Sequence, residues 1–469
     1  MSASPPPMRP GPILPTRQPP LWKSLLALLC LSLSLLLWFQ GLLDSLQRPS
    51  VGDALSHRQL ELSALVSQAV HEPLRSTLFG TDPQGDLRRG IERELARSSD
   101  SQAQTLSLEL ALLQRNSDPQ ASERRISDLA QSVDPARMAL LRALEQGQVL
   151  DAPMRQTLLL PWKPSPLLSQ LVCEQMSGDA ACPAAAGGRA LLLRWLVVNL
   201  LPFPLMLVGL GLLLRQAWLR WRGRLPVAPP WLGPDLDLTD ITLLIAGGFV
   251  LLGEVLMPQL LQGPLVATLA GLKLSPSLQQ GVQVLLLYLL VMAVPLLILA
   301  GMLRGRGCPP AGGWLQWHWR PLASGLGRAL STLLMALPAV ALSGWLVERL
   351  WPDAGGSNPL LDLVLTSPDP WALACFALTA SLVAPLFEEI LFRGALLPVL
   401  AQRWGGMVGV LVSAAVFALA HLSLSEGVPL FVLGVGLGWL RWRSGRLAPS
   451  VLMHALWNGL TLINLLVLA

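Results

Sequence analysis

The sequence predicts an all-α polytopic membrane protein of about nine transmembrane helices, with a helical extramembrane domain inserted after the first. Three observations predict it. Hydrophobic residues make up 52% of the 469 and charged residues only 13%, too few charges to cover a water-facing surface of that size. Apolar runs long enough to cross a hydrocarbon core of about 30 Å recur along the chain. One polar block, residues 45–188, interrupts them.

Residues 1–20 are rich in proline and carry Arg9 and Arg17, a composition that cannot build a core, and they read as a disordered tail. Residues 21–43 form a continuous apolar run. Trp38-Phe39-Gln40 is a poor cleavage site, so this run reads as an uncleaved anchor. In the polar block, Asp118-Pro119 and Asp134-Pro135 each look like a helix start, with aspartate as cap and proline at the first helical position. Apolar residues recur at helical spacing in LSLELALL and ARMALLRALEQ, and a domain of about four helices follows. The block shows no catalytic cluster; His57 and His71 read as surface or packing histidines. Cys173 and Cys182 are close enough in sequence to form a disulfide if their loop faces an oxidising compartment, whereas Cys30, Cys308 and Cys375 are isolated.

From Ala190 the apolar runs fall at 190–214, 239–262, 280–303, 325–347, 370–400, 407–424, 428–441 and 449–468. Residues 190–347 read as accessory transmembrane helices and 370–469 as a C-terminal bundle. The run at 428–441 is short and reads as tilted or partly crossing. Seventeen tryptophans beside a single tyrosine fit aromatic anchors at the interfaces.

Arg215, Arg220, Arg222 and Arg224 follow one run, Arg304, Arg306 and Arg320 flank another gap, and Arg441, Arg443 and Arg446 precede the last run. The alternate loops at 263–279 and 349–369 hold few basic residues. The basic loops and the amino terminus are therefore expected in the cytoplasm, and residues 45–188 in periplasm or lumen. A net charge of +5 dispersed over short loops marks topology in a lipid bilayer and excludes nucleic acid as a partner.

Ionisable groups inside apolar spans cost about 2.5–3.5 kcal/mol each on insertion scales, so each needs a reason. In APLFEEILFRGALL, Arg393 follows Glu389 by one helical turn and can pair with it, leaving Glu388, about 100° round the helix, to face something else. VSAAVFALAHLS places Phe417 and His421 one turn apart, and SVLMHALWNGL does the same for His454 and Asn458. At about 1.5 Å per residue, Glu388 lies roughly 22 Å from Arg403 and His421 roughly 21 Å from Met407, but His454 only about 8 Å from Pro449. Either the last helix enters through a re-entrant or wet region, or it starts several residues away from there.

In order, these make the patterns E-E-x-x-x-R, F-x-x-x-H and H-x-x-x-N on three successive membrane segments. The set resembles that of the CPBP family of intramembrane proteases, also called the ABI family, which includes the type II CAAX prenyl endopeptidases. Phe392-Arg393-Gly394, the glycine-rich LGVGLGWLRWRSG and Leu447-Ala448-Pro449 resemble it too. The resemblance covers about residues 370–465. It implies that Glu388 activates a water with help from His421, that His454 and Asn458 line the site and stabilise an oxyanion, and that Glu389 and Arg393 form a supporting pair. The expected activity is endopeptidase cleavage of a membrane-associated protein or peptide.

Glu388, His421 and His454 could instead hold a zinc ion with an open water position; the side chains suit either chemistry. Each polar pair taken singly could also be a packing device between helices. Two functional rivals stand beside the protease: a non-catalytic membrane scaffold that binds or protects another membrane protein, and a transporter, for which no repeated halves or matching broken helices are found. A protein partner for residues 45–188 is compatible with their polarity. Glu254, Glu348 and Arg349 read as snorkelling or locally paired charges. Gly434, Gly436 and Gly438 read as allowing close helix approach rather than binding phosphate.

Overall fold

The computed structural model describes residues 19–46, 51–95, 100–162, 164–177, 182, 188–351 and 369–468, with residues 356, 360, 363, 364 and 367. The expected tail lies almost wholly outside them. Among the described residues the protein is helical throughout its ordered elements, 81% helix with no strands. Among the described residues, seven helices are long and apolar enough to cross a membrane: Leu21–Ser45, Arg189–Trp221, Leu238–Ala270, Pro276–Leu303, Leu322–Leu350, Pro370–Trp404 and Ala448–Leu468. The two remaining apolar runs are also helical, Gly406–Leu419 at 14 residues and Leu424–Ser444, which carries Glu426, Arg441 and Arg443.

The polar block folds into more and shorter helices than the four expected. Eight α-helices run from Val51–Ala69 to Pro166–Met176. Prolines restart the chain repeatedly: Asp118, Asp134, Asp151 and Ser165 each accept a hydrogen bond from a backbone N–H three residues on, with proline at the first or second helical position. Leu87, Ile91, Leu108, Leu140, Leu168 and Trp162 fill their common core. Cys173 and Cys182 are joined by a disulfide. The carboxy-terminal helix reaches this block, since Leu468 packs with Leu62, Val66, Phe79 and Trp195.

Within the membrane part, four stretches wind as π-helix: Leu196–Leu200, Leu243–Leu256, Thr379–Val383 and Glu389–Leu396. A proline stands two residues after each, at Pro202, Pro258, Pro385 and Pro398. Proline has no N–H and its ring crowds the carbonyl four residues back, so the turn before it widens. Carbonyls in three of these stretches accept hydrogen bonds from side chains of neighbouring helices: Ser34 Oγ donates to Ala246, Ser413 Oγ to Phe392 and Asn458 Nδ2 to Ala380. Lipid cannot supply such partners, so the neighbouring helix must. Proline alone does not suffice, because Pro264, Pro295, Pro338 and Pro429 sit inside α-helices.

The anchor is tied in at both ends. Lys23 and Arg306 both pair with Asp240, while Ser45 bonds Gly356 and Leu424. Arg441, expected in a loop, is instead buried in the helix Leu424–Ser444 and donates to the Leu232 carbonyl, which replaces the water it gives up. Glycines let the helices meet, as expected at two positions of the glycine-rich run: a methyl at Gly434 would sit 3.0 Å from the Ala414 Cβ, and one at Gly438 3.1 Å from Val410.

At Gly209 an added Cβ would fall 1.9 Å from the Leu334 carbonyl oxygen, a backbone atom that cannot swing aside, whereas at Gly211 nothing lies within 4 Å. Gly209→Ala should therefore lower the melting temperature of the detergent-solubilised protein, at a cost of about 1–3 kcal/mol, and Gly211→Ala should leave it unchanged. Equal melting of the two variants would mean that Arg189–Trp221 and Leu322–Leu350 do not pack as described.

Candidate functional site

The site begins with a carboxylate that cannot reach water. Glu389 and Arg393 are both 0% exposed, and Arg393 Nη1 donates to Glu389 Oε1 at 2.8 Å. The same oxygen meets His454 Nδ1 at 3.0 Å. Arg393 Nη2 donates to the Gly434 carbonyl at 3.3 Å, and its guanidinium lies 4.2 Å from the Phe417 ring centroid. Removing one member of such a buried pair typically costs about 3–5 kcal/mol, because the other is left as an uncompensated charge.

This arrangement fixes the histidine. Arg393 holds Glu389 as an acceptor, so the proton in the His454 contact sits on Nδ1, and Nε2 points the other way. There it lies 3.8 Å from Glu388 Oε2, an oxygen that is buried without a hydrogen-bond partner. Glu388 keeps 17% of its side chain exposed, and its Oε1 accepts from the Tyr288 hydroxyl at 3.4 Å. The two adjacent glutamates thus have separate jobs. Glu389 is locked into the core, and Glu388 faces a space it shares with His454 and Tyr288.

His421 is brought close but is not on a helix, as the sequence suggested. Its helix ends at Leu419, and His421 Nδ1 lies 2.8 Å from the Phe417 carbonyl, one of the acceptors that a helix end leaves free. The Phe417 ring connects the two histidines, with centroids 4.7 Å from His421 and 5.7 Å from His454.

Asn458 is placed differently again. Its Nδ2 donates to the Ala380 carbonyl at 2.8 Å. The stretch Thr379–Val383 is closed by bonds five residues long, shown by Ala384 N donating to Thr379 O. In that register the partner of Ala380 O would be residue 385, a proline with no N–H. Asn458 fills that vacancy and holds the carboxy-terminal helix against the glutamate-bearing one.

The depth of His454 is also explained. Its helix does start at Ala448, but residues 448–451 are already buried. The segment between Leu303 and Leu322 folds over them, with the Gln316 carbonyl accepting from Leu447 N at 3.1 Å. The helix begins inside the protein rather than at the bilayer surface.

Two residues went unrecognised as part of this site. Tyr288 touches Glu388, and Glu254, expected to be a snorkelling charge, interacts electrostatically with Glu388 from Leu238–Ala270. Being the single tyrosine of an apolar chain was the one available signal for Tyr288. The donor atoms of Glu388, His421 and His454 do not gather within 4.8 Å of one another. His421 Nδ1 turns to the Phe417 carbonyl and His454 Nδ1 to Glu389, which leaves Nε2 of each ring toward the rest of the site.

The polar block also differs from expectation, because His57 is not a lone packing residue. It meets Glu61 and Glu109, which are buried, and Glu94, which is partly buried. Burial alone would lower His57, but the Glu109 and Glu61 carboxylates hold it up at about 10. Burial and the neighbouring Glu61 push Glu109 up to about 7 against the pull of His57.

Comparison with known proteins agrees with the motif positions. Residues 370–460 match the family described as type II CAAX prenyl endopeptidase Rce1-like, a family of proteases. Residues 52–193 match a family described as a domain of unknown function, DUF8675. An uncharacterized 24.3 kDa protein of Escherichia coli is 40% identical over 85 residues, a stretch that covers 16% of this chain and 38% of that protein. No solved structure matches.

The proline and asparagine should show coupled energetics. Asn458→Leu strands the Ala380 carbonyl and should cost about 1–3 kcal/mol of stability. In a Pro385→Ala background, which restores a backbone N–H, the same substitution should cost measurably less. Additive effects in thermal melts of the four proteins would mean that Asn458 does not serve that carbonyl.

Proposed function

We propose that this protein, an integral multi-pass membrane protein whose residues 370–460 belong to the CPBP family, hydrolyses a peptide bond of a membrane-associated substrate in the space between Glu388 and His454. One observation carries the reading: Glu388 has a buried carboxylate oxygen without a partner, 3.8 Å from a histidine whose other nitrogen is held by a locked carboxylate.

Hydrolysis needs a base for the attacking water and a donor for the charge that develops on the carbonyl oxygen. Glu388 is the base. It takes a proton from water as the water's oxygen bonds to the carbonyl carbon, and passes it to the departing amine as the C–N bond breaks. Tyr288 donates to Glu388 Oε1 and aims Oε2 at the water. A neutral His454 with its proton on Nδ1 has only an acceptor at Nε2. In the doubly protonated form Nε2–H becomes a donor, with the Glu389 carboxylate on one side of the ring and Glu388 on the other. His454 is then the oxyanion donor, and Glu389 the group that orients it. Asn458 acts through the helix it holds, as a positioning residue.

Placement relative to the membrane follows from charge and from sulfur chemistry. The basic loops lie in the cytoplasm and the polar block on the opposite side, where an oxidising compartment keeps Cys173 and Cys182 joined. A membrane-impermeant maleimide should label the exposed Cys308 only once the cytoplasmic face is opened. Labelling of Cys308 in intact cells would reverse the topology.

Glu388→Gln keeps size and shape but removes the base. Cleavage in reconstituted vesicles should fall at least about 100-fold with melting behaviour unchanged, and quantitative proteomics should show the uncleaved substrate accumulating in cells. Tyr288→Phe should lose roughly tenfold. Undiminished turnover in Glu388→Gln removes Glu388 from the mechanism. A cellular role that survives the substitution, with partner capture intact, would favour a scaffold.

A further inference from the structure

The polar block gathers its own ionisable cluster, on helices that take no part in the intramembrane site. His57 and Glu61 stand one turn apart on Val51–Ala69, Glu94 lies near the end of Pro83–Leu95, and Glu109 interrupts the apolar face of Asp100–Gln114. His57 Nε2 lies 3.2 Å from Glu61 Oε1 and 3.7 Å from Glu109 Oε1. One donor atom from each of these three residues falls within 4.8 Å of the other two.

Two enclosed carboxylates, Glu61 and Glu109, share the His57 imidazole, and the Arg58 guanidinium meets the first from outside, its Nη1 3.2 Å from Glu61 Oε2. Glu61 is 3% and Glu109 1% exposed, and Glu109 Oε1 has no hydrogen-bond partner. A buried carboxylate oxygen aimed at other acceptors needs a cation or a proton between them.

The surroundings favour a cation. His57 Nδ1 lies 3.2 Å from Glu94 Oε2 and Nε2 faces Glu61 and Glu109, so an ion bound there takes the place of the Nε2 proton. A carboxylate on the far side of the ring is a common setting for a histidine ligand. Arg58 meanwhile balances the outer oxygen of Glu61 and leaves the inner one for coordination. An imidazole nitrogen with two carboxylates suits a first-row divalent ion better than calcium or magnesium, which prefer all-oxygen sites.

We propose that His57 Nε2, Glu61 and Glu109 bind one divalent first-row transition-metal ion inside the polar block, with Glu94 on the far side of the His57 ring. The ion ties Val51–Ala69 to Asp100–Gln114 and leaves coordination positions for water. It is separate from the Glu388 site and does not depend on the protease reading.

Metal content of the full-length protein in detergent tests this. After chelator treatment and equilibrium dialysis against Zn2+ or Mn2+, mass spectrometry should find about one ion per chain in the wild type. It should find under about a tenth of that in Glu109→Gln, which keeps the side chain's shape. Glu388→Gln should retain the full equivalent, which separates this site from the intramembrane carboxylates. Added metal should raise the melting temperature of the wild type by several degrees and leave Glu109→Gln unmoved. Should Glu109→Gln fail to fold, His57→Gln and the wild-type titration carry the same comparison. A wild type that retains no stoichiometric ion, or a Glu109→Gln that keeps the full complement, overturns the proposal; in the first case a proton bridges the carboxylates.

Discussion

The arrangement of the C-terminal bundle depends on one buried ion pair. Glu389 and Arg393 are fully enclosed in a protein whose outer surface meets lipid, so neither can fall back on water. Each therefore collects partners from other segments: His454 from the last helix, the Gly434 carbonyl from Leu424–Ser444, and the Phe417 ring from Gly406–Leu419. Four segments are fixed against one another by two side chains. Gly434 has to be small for this to work, because a methyl there would press on Ala414 and Phe417 and move its carbonyl away from the guanidinium.

Proline sets the second constraint. Every π-helical stretch among the described residues is followed by a proline two positions on, and three of them have a carbonyl served by a serine or asparagine from a neighbouring helix. In hydrocarbon an unpaired carbonyl is expensive, so a widened helix and its polar neighbour come as a set. The two widest-ranging consequences are at the site. Thr379–Val383 and Glu389–Leu396 flank Glu388, and the partner of the first, Asn458, sits one turn from His454. The helices that carry the reacting groups are thus held by the same bonds that repair their own distortions.

The polar block meets the cost of buried charge in a different way. Its core is apolar and its helices are capped by aspartate and serine side chains, yet it encloses Glu61 and Glu109 beside His57. In the membrane bundle the Arg393 guanidinium answers the Glu389 carboxylate directly, and Glu388 is left facing open space. In the block the cluster lies across three helices rather than along one.

Composition and spacing alone determined the class of this protein. Long apolar runs require helices in lipid, because no other open structure pairs its own backbone there, and the order of E-E-x-x-x-R, F-x-x-x-H and H-x-x-x-N was readable as three short strings. The pairing of Glu389 with Arg393 followed from helical geometry, since it is local. What lay beyond reach was everything set by contacts between distant segments. Tyr288 and Glu254 join Glu388 from helices about a hundred residues or more away, with no pattern to announce them. Asn458 turned from a site-lining group into a helix tie because a proline 73 positions earlier has no N–H to give. His57 looked isolated because its partners Glu94 and Glu109 come from other helices. Local periodicity tells which face of a helix is polar, but only the folded packing decides which polar face it meets.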